Sequence, residues 1–255
     1  MLQWTTTIKG GLRWWVRPDA DAPGVHQILK DPDSFLADPA MHLKNYDLVT
    51  MSRVPSKSDA EPSLVLRRLN YGRLRHRLRD VLRASRARRA FIISLRMEQR
   101  GIRTPRALAV AEVRRMRWPV KAYLITEEVP LAVNLGEHLL GKKFIHRRII
   151  QHVAELIARL HDAGFSHRDL KYTNILVDAK LEPWVIDLDG VRNLGRVPAR
   201  RAVADLAVLA RNFREYPNRL RWEGARFLKH YCRQRGLEDR FREFAVGILA
   251  EMRRL

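Results

Sequence analysis

Residues 147–190 constrain this chain more tightly than any other stretch. Arg147 to Ala163 place Ile150, Val153, Ala154, Ile157 and Leu160 on one face, at the three- and four-residue spacing of an amphipathic helix. The helix delivers the chain into Gly164-Phe165-Ser166-His167-Arg168-Asp169-Leu170-Lys171-Tyr172-Thr173-Asn174, and then into the apolar Ile175-Leu176-Val177. A turn at Asp178-Ala179-Lys180 leads to a second apolar run, Trp184-Val185-Ile186, which ends in Asp187-Leu188-Asp189-Gly190. A His-Arg-Asp triplet alone carries little information. Here a Lys follows the Asp by two residues and an Asn by five, between a helical pattern and an apolar strand.

That block resembles the catalytic loop of the protein-kinase superfamily, and Asp187 stands where that superfamily keeps its metal-binding Asp. The resemblance implies ATP as donor and magnesium as metal. It makes Asp169 the base that accepts the substrate hydroxyl proton and Lys171 the contact to the transferring phosphate. Asn174 and Asp187 become the metal ligands, and both supply the oxygen donors that a hard cation needs. It also implies an α+β, two-lobed fold. Residues 1–130 would form an N-lobe of antiparallel sheet with a helix, and residues 131–255 a mainly α-helical C-lobe.

The rest of the chain reads consistently with this. Trp4, Trp14 and Trp15 suggest an aromatic-packed strand or hairpin at the start. Met41 to Val54 reads as a second hairpin turning near Asn45. In a kinase that hairpin covers the phosphates, yet it contains no glycine here. Pro55 to Pro62 is a polar loop, and Ser63 to Leu69 is a strand. Kinases end this strand in a lysine that steadies the nucleotide phosphates, and Arg67 is the match, with Arg68 the candidate if the register slips by one. A helix over Ala87–Arg100 stops at Gly101. The glutamate that would pair with the strand lysine falls near Ala90, so both members of that pair are replaced. Glu127-Glu128-Val129-Pro130 matches the hinge whose backbone meets adenine. Asp205 reads in two ways: as a helix aspartate that bonds the catalytic-loop backbone, or as an acid favouring a helix N-terminus. Gly190 to Arg201 is short and contains no Ser, Thr or Tyr, which leaves little room to dock a peptide.

Charge narrows the partner. The chain of 255 residues carries 49 Lys and Arg against 28 Asp and Glu, a net charge of +21. Such an excess attracts anionic partners. Ten arginines lie between Arg67 and Arg89 with Asp80 the only acid, and Leu74, Leu78, Val81 and Leu82 among them recur at helical spacing. This predicts a basic amphipathic helix that meets an anionic surface. No base-reading motif accompanies the charge, which argues against a nucleic-acid partner. The single Cys232 excludes an internal disulfide. No N-terminal apolar core of a signal peptide is present, and no run approaches the roughly 20 apolar residues of a membrane span. A cytoplasmic protein is expected, held peripherally at the inner membrane.

Together with Gly101-Ile102-Arg103-Thr104-Pro105 and Tyr123-Leu124-Ile125-Thr126-Glu127-Glu128-Val129-Pro130, these features resemble the lipopolysaccharide core kinases, the heptose and Kdo kinases of Gram-negative bacteria. The resemblance runs from about Leu43 to Tyr231. It implies ATP-dependent phosphorylation of a sugar hydroxyl on an anionic glycolipid at the cytoplasmic membrane face. Two alternatives stay open: a pseudokinase that binds an anionic glycolipid or a partner, which the altered Lys and Glu positions favour, and an atypical protein kinase, which the short segment after Asp187 opposes.

Overall fold

The computed structural model describes residues 5–9, 12–20, 23–46, 48–56, 61–71, 83–116, 118–140, 147–214 and 217–254. It divides into two compact units: residues 1–95 with 105–130, and residues 96–104 with 131–255.

The first unit is built on an antiparallel sheet of β1 (Thr5–Lys9), β2 (Leu12–Val16), β3 (His42–Tyr46), β4 (Val49–Val54), β5 (Leu64–Asn70), β6 (Ala107–Arg115) and β7 (Trp118–Glu127). Its order is β1-β2-β6-β7-β5-β4-β3. Both expected hairpins are present, β1–β2 and β3–β4. One face is covered by α1 (Pro23–Lys30) and a short 3-10 turn at Ser34–Leu36, which bury Val25, Ile28 and Leu36 with Trp14, Leu66, Tyr123 and Ile125. Ala111 lies between Trp14 and Tyr123 in one cross-strand row. Its small side chain lets the two rings stack at 6.4 Å. Asp33 pins the covering segment to this face: its carboxylate accepts from Tyr123 Oη at 2.7 Å, from Arg68 Nη1 at 3.1 Å, and from Lys121. Burial opposes ionisation of Asp33, but these three donors outweigh it and hold the carboxyl below its usual range.

The other face carries α2 (Arg86–Glu98). The Tyr71 hydroxyl accepts from the Arg86 N–H at 3.1 Å, the Glu112 carboxylate from the Ser85 N–H at 2.7 Å, and the Arg88 guanidinium stacks 4.2 Å from the Trp15 ring. The helix ends where the sequence placed its stop. Gly101 adopts φ 67°, and the Ile102 N–H reaches back to the Met97 carbonyl at 2.9 Å, a glycine C-cap. The basic helix expected from the arginine run falls on residues 72–82, outside the described residues.

The second unit holds α3 (Leu135–Leu140), α4 (Arg147–Asp162), α5 (Ala199–Arg211), α6 (Pro217–Gln234) and α7 (Phe241–Arg254). Short strands β8 (Val133–Asn134), β10 (Ile175–Val177) and β11 (Pro183–Val185) form one small sheet, and β9 (Phe165–His167) pairs with β12 (Val191–Asn193). Its core joins the apolar face of α4 to Ile175, Val177, Leu206, Leu228, Tyr231 and Phe244. Among the described residues no helix is long and apolar enough to cross a membrane.

Candidate active site

Two residues past the end of α4 stands Gly164, whose φ of 83° turns the chain into β9. A Cβ there would overlap the Gly195 carbonyl oxygen. Its absence lets the Leu194 N–H bond the Gly164 carbonyl at 2.7 Å, closing β12 against β9. His167 ends β9, and the next two residues form a turn that presents Asp169 half-exposed.

Asp169, Lys171 and Asn174 come together as the sequence predicts. Lys171 Nζ lies 2.9 and 3.0 Å from the two carboxylate oxygens of Asp169. Asn174 Nδ2 donates to the Asp169 carbonyl at 2.8 Å. Asn174 is buried while Asp169 and Lys171 are open to solvent. Two backbone-level ties bring the second carboxylate to the same place. The Ile186 N–H donates to the Asn174 carbonyl at 3.0 Å, and the buried His167 ring donates through Nε2 to the Ile186 carbonyl at 3.0 Å. Asp187 then adopts φ 57°, ψ 58°, a left-handed conformation that is costly for a residue with a Cβ. His167 is therefore structural.

Asp205 settles the choice left open by its sequence. It is the seventh residue of α5, buried, and far past the first turn, so the helix-dipole reading fails. Its carboxylate accepts from the His167 N–H at 2.9 Å and from the Ser166 hydroxyl at 2.7 Å, two and three residues before Asp169. Arg201 also donates to Ser166 Oγ at 2.9 Å. On the far side lies His161, with Nε2 3.4 Å from Asp205. Burial pushes the His161 imidazole below its usual range, so the pair is a neutral ring beside a carboxylate. Burial opposes ionisation of Asp205 as well, but the hydrogen bonds from His161 and Ser166 prevail and lower its pKa. The Tyr231 phenol, which burial pushes well above its ordinary value, accepts from Arg235 at 2.6 Å. It lies 2.8 Å from His161 Nδ1 and donates to it, which leaves the imidazole proton on Nε2, facing Asp205. The chain Arg235–Tyr231–His161–Asp205–Ser166 thus reaches from α6 to the catalytic loop. Sequence reasoning reached Asp205, but missed Ser166, Arg201, Tyr231 and Arg235. Their positions follow no motif spacing.

Two further contacts fix the loop. The Tyr172 N–H donates to Asn212 Oδ1 at 3.2 Å, and the Tyr172 ring packs on Gly136 of α3, where a Cβ would overlap it.

The candidate residues of the first unit are arranged differently. Cross-strand pairing puts Arg67, Leu124, Val110 and Trp15 in one row, on the face that Arg88 of α2 covers. Arg68 occupies the row of Tyr123 and Ala111 on the opposite face, bound to Asp33. Arg67 and Arg68 thus lie on opposite faces of the sheet, Arg67 on the α2 side. Ala90 is buried on α2, with no carboxylate at that position. The Glu127 and Glu128 N–H groups already donate to the carbonyls of Arg106 and Ser63, and their side chains pair with Arg106 and Arg53. Of the hinge triplet, Val129 alone keeps its backbone N–H without an acceptor among the described residues. A cavity of about 470 Å³ lies on the Tyr123 face of this unit, lined by Phe35, Met41, Leu64 and Leu108. Apart from Glu127, it takes in none of these candidate residues.

Comparison with known proteins bears on the whole arrangement. A solved structure described as WaaP in complex with acyl carrier protein matches 98% of this chain and 97% of its own, at a TM-score of 0.65 and 20% identity, which shows a shared kinase-like fold. The 3-deoxy-D-manno-octulosonic acid kinase of Vibrio parahaemolyticus is 32% identical over 108 residues, 42% of this chain and 44% of its own length. Its counterpart in Xanthomonas axonopodis is 35% identical over 103 residues, 40% and 39% respectively. The chain thus matches under half the length of these curated relatives. The profile of the lipopolysaccharide kinase (Kdo/WaaP) family matches residues 40–231, a span that holds every candidate residue described above. With the kinase-like fold and that match in hand, the chain belongs to the lipopolysaccharide kinase (Kdo/WaaP) family.

Proposed function

We propose that this protein transfers the terminal phosphoryl group of ATP to a sugar hydroxyl of an anionic, membrane-associated glycolipid of the lipopolysaccharide inner core. The carrying observation is the Asp169 carboxylate, exposed at the turn yet fixed from beneath by Asp205 and Asn174. Asp169 takes the proton as the acceptor O–H bond breaks. The acceptor oxygen forms its bond to phosphorus, and the bond to the departing ADP breaks. Lys171, already on that carboxylate, is placed to meet the negative charge that gathers on the transferring group.

Magnesium, when bound, neutralises charge on the nucleotide phosphates. Asn174 and Asp187 fit it. The Asn174 amide nitrogen is spent on the Asp169 carbonyl, which leaves Oδ1 for a cation, and the left-handed backbone at Asp187 is a strain of the kind retained where a carboxylate must be aimed. One carboxylate and one amide suit an ion that keeps water and phosphate as its other ligands. In the first unit, Arg67 and the Val129 backbone are the proposed nucleotide contacts, on the strength of their positions in the sheet and hinge.

The relatives' names point to 3-deoxy-D-manno-octulosonic acid as the acceptor sugar. The net charge of +21 favours such an acid and a peripheral position on an anionic membrane. The test is transfer of labelled phosphate from ATP to a glycolipid bearing that sugar. Label is expected on the sugar, with Asn174→Ala and Asp187→Ala each needing more magnesium. No label on any acceptor, with ATP still bound, would establish the pseudokinase reading that Ala90 and Arg67 favour. An unchanged magnesium titration in both variants would remove them as ligands.

A further inference from the structure

His161 Nε2 meets Asp205 at 3.4 Å, a long contact. Its sign depends on which imidazole nitrogen carries the proton. With the proton on Nε2, an N–H dipole faces the carboxylate and attracts it. With the proton on Nδ1, a lone pair faces the same charge and repels it. Both side chains are buried, so water screens neither case. The outcome bears on the loop, because the His167 N–H and the Ser166 hydroxyl donate to this carboxylate two and three residues before Asp169.

The choice between the two tautomers is made at the far end of the hydrogen-bond chain. Arg235 stands just past α6, where Gly236 turns at φ 61° and the Leu237 N–H reaches back to the Cys232 carbonyl at 2.8 Å. This cap fixes the backbone of Arg235. Its guanidinium spans two acceptors. Nε donates to Asp162 at the end of α4 at 2.7 Å, and Nη1 donates to the Tyr231 hydroxyl oxygen at 2.6 Å. A guanidinium can only donate, so the Tyr231 hydrogen cannot turn toward it. Burial keeps that phenol protonated, and His161 Nδ1 at 2.8 Å is the acceptor within reach. The direction of the chain is therefore set by a cation that cannot accept at one end and a carboxylate that cannot donate at the other. Arg235 lies beyond residues 40–231, the span that the family profile matches.

We propose that Arg235 and Tyr231 are positioning residues for phosphoryl transfer: they fix the His161 proton on Nε2, and so hold the Asp205 carboxylate and the backbone that presents Asp169. The effect on turnover rests on the phosphotransfer reading above; the tautomer and the state of the loop backbone do not.

The test compares donors of different kinds at one position. Arg235→Lys keeps a group that cannot accept. Arg235→Gln offers an amide oxygen that can take the Tyr231 hydrogen, and Tyr231→Phe removes that hydrogen. Nitrogen NMR of histidine-labelled protein should show the Nε2–H tautomer at His161 in the wild type and in Arg235→Lys. Arg235→Gln and Tyr231→Phe should gain the Nδ1–H form. In these two, kcat for phosphate transfer from ATP to a soluble glycoside of 3-deoxy-D-manno-octulosonic acid should fall roughly tenfold to a hundredfold, the cost of a small misplacement at the reacting group, with both KM values unchanged. Arg235→Lys should keep most of kcat. Asp162→Asn, which weakens the ion pair but leaves the direction of the chain intact, should turn over like the wild type. Three results overturn the proposal: the Nδ1–H form in the wild type, an unchanged tautomer in both Arg235→Gln and Tyr231→Phe, or full kcat in a variant whose tautomer has changed. The first is read without any variant, so it holds even where a variant fails to fold. If the wild type transfers no phosphate, the phosphotransfer reading fails, and hydrogen exchange at the His167 N–H decides the positioning role. Faster exchange in Arg235→Gln and Tyr231→Phe than in Asp162→Asn supports it, and equal exchange overturns it.

Discussion

The two units of this molecule hold their candidate residues by different means. In the second, Asp169 stands on a turn whose backbone is bound from beneath by Asp205, itself braced by His161 and Tyr231. In the first, Arg67 stands on a regular strand, and its placement comes from sheet register and a covering helix. On the reading proposed above, the superfamily's residues persist where chemistry needs one carboxylate at one point, and are replaced where the task is to attract a phosphate, because an arginine on the same strand also supplies a permanent cation. Fixed geometry and general electrostatics thus tolerate substitution to different degrees.

The strongest way to break this comparison is Asp169→Asn. It should cut turnover by roughly 100- to 10,000-fold, the effect of a lost general base, while thermal stability and nucleotide affinity stay unchanged. Near-normal turnover would end the catalytic assignment.

Asp205→Ala removes the brace while leaving Asp169 in place. The Ser166 hydroxyl and the His167 N–H then lose their acceptor. Breaking so buried a charged network should cost about 3–5 kcal/mol of stability. Turnover should fall in samples still folded at the assay temperature, measured beside a chemical-denaturation curve. Full turnover in a folded variant would show that the loop holds its shape alone.

Arg67→Ala and Arg68→Ala sharpen the contrast within one strand. Arg67→Ala should weaken ATP binding by about 1.5–3 kcal/mol, as for a lost charge-assisted contact, and Arg67→Lys should keep part of it. Arg68→Ala should leave ATP affinity alone and lower stability, because Arg68 serves Asp33 on the opposite face. If ATP affinity falls for Arg68→Ala only, the row assignment has no functional meaning.

The smallest effect concerns pH. Burial holds the folded pKa of His161 below the unfolded value of about 6.5. The unfolded chain therefore binds a proton that the folded chain refuses. This contribution to stability is complete above about pH 6.5 and is lost as pH falls below it, at no more than about 1.4 kcal/mol per pH unit. Asp205, also lowered, adds its own loss at more acid pH, below the usual carboxylate range. His161→Gln should flatten the decline in urea midpoint between about pH 6.5 and 5 relative to the wild type. Parallel profiles would show that His161 is not held neutral.

Local signals were legible along the chain because they are local in cause. The α4 face follows from helical spacing, the stop at Gly101 from the freedom of glycine at positive φ, and the Asp169–Lys171–Asn174 cluster from a short, contiguous motif. Asp205 was visible but ambiguous, since an acid in a helix reads the same whether it faces the dipole or a buried backbone amide. Ser166 and Tyr231 gave no signal, because their roles depend on partners 39 and 70 residues away, and Arg235 acts on this hydrogen-bond chain only through Tyr231.

By itself the sequence determined the α+β class, the two N-terminal hairpins, the helices over Arg86–Glu98 and Arg147–Asp162, the carboxylates and amide of the candidate site, and the excess of positive charge. Those properties depend on residue type and short spacing. Only the tertiary structure decided that Arg67 rather than Arg68 lies under α2, since neighbouring strand residues face opposite sides and one residue of register exchanges them. It alone put Asp205 beneath the catalytic loop and brought Arg235, Tyr231 and His161 into one chain behind it. Each of these rests on groups distant in sequence meeting at hydrogen-bond or contact range, which packing specifies and spacing does not.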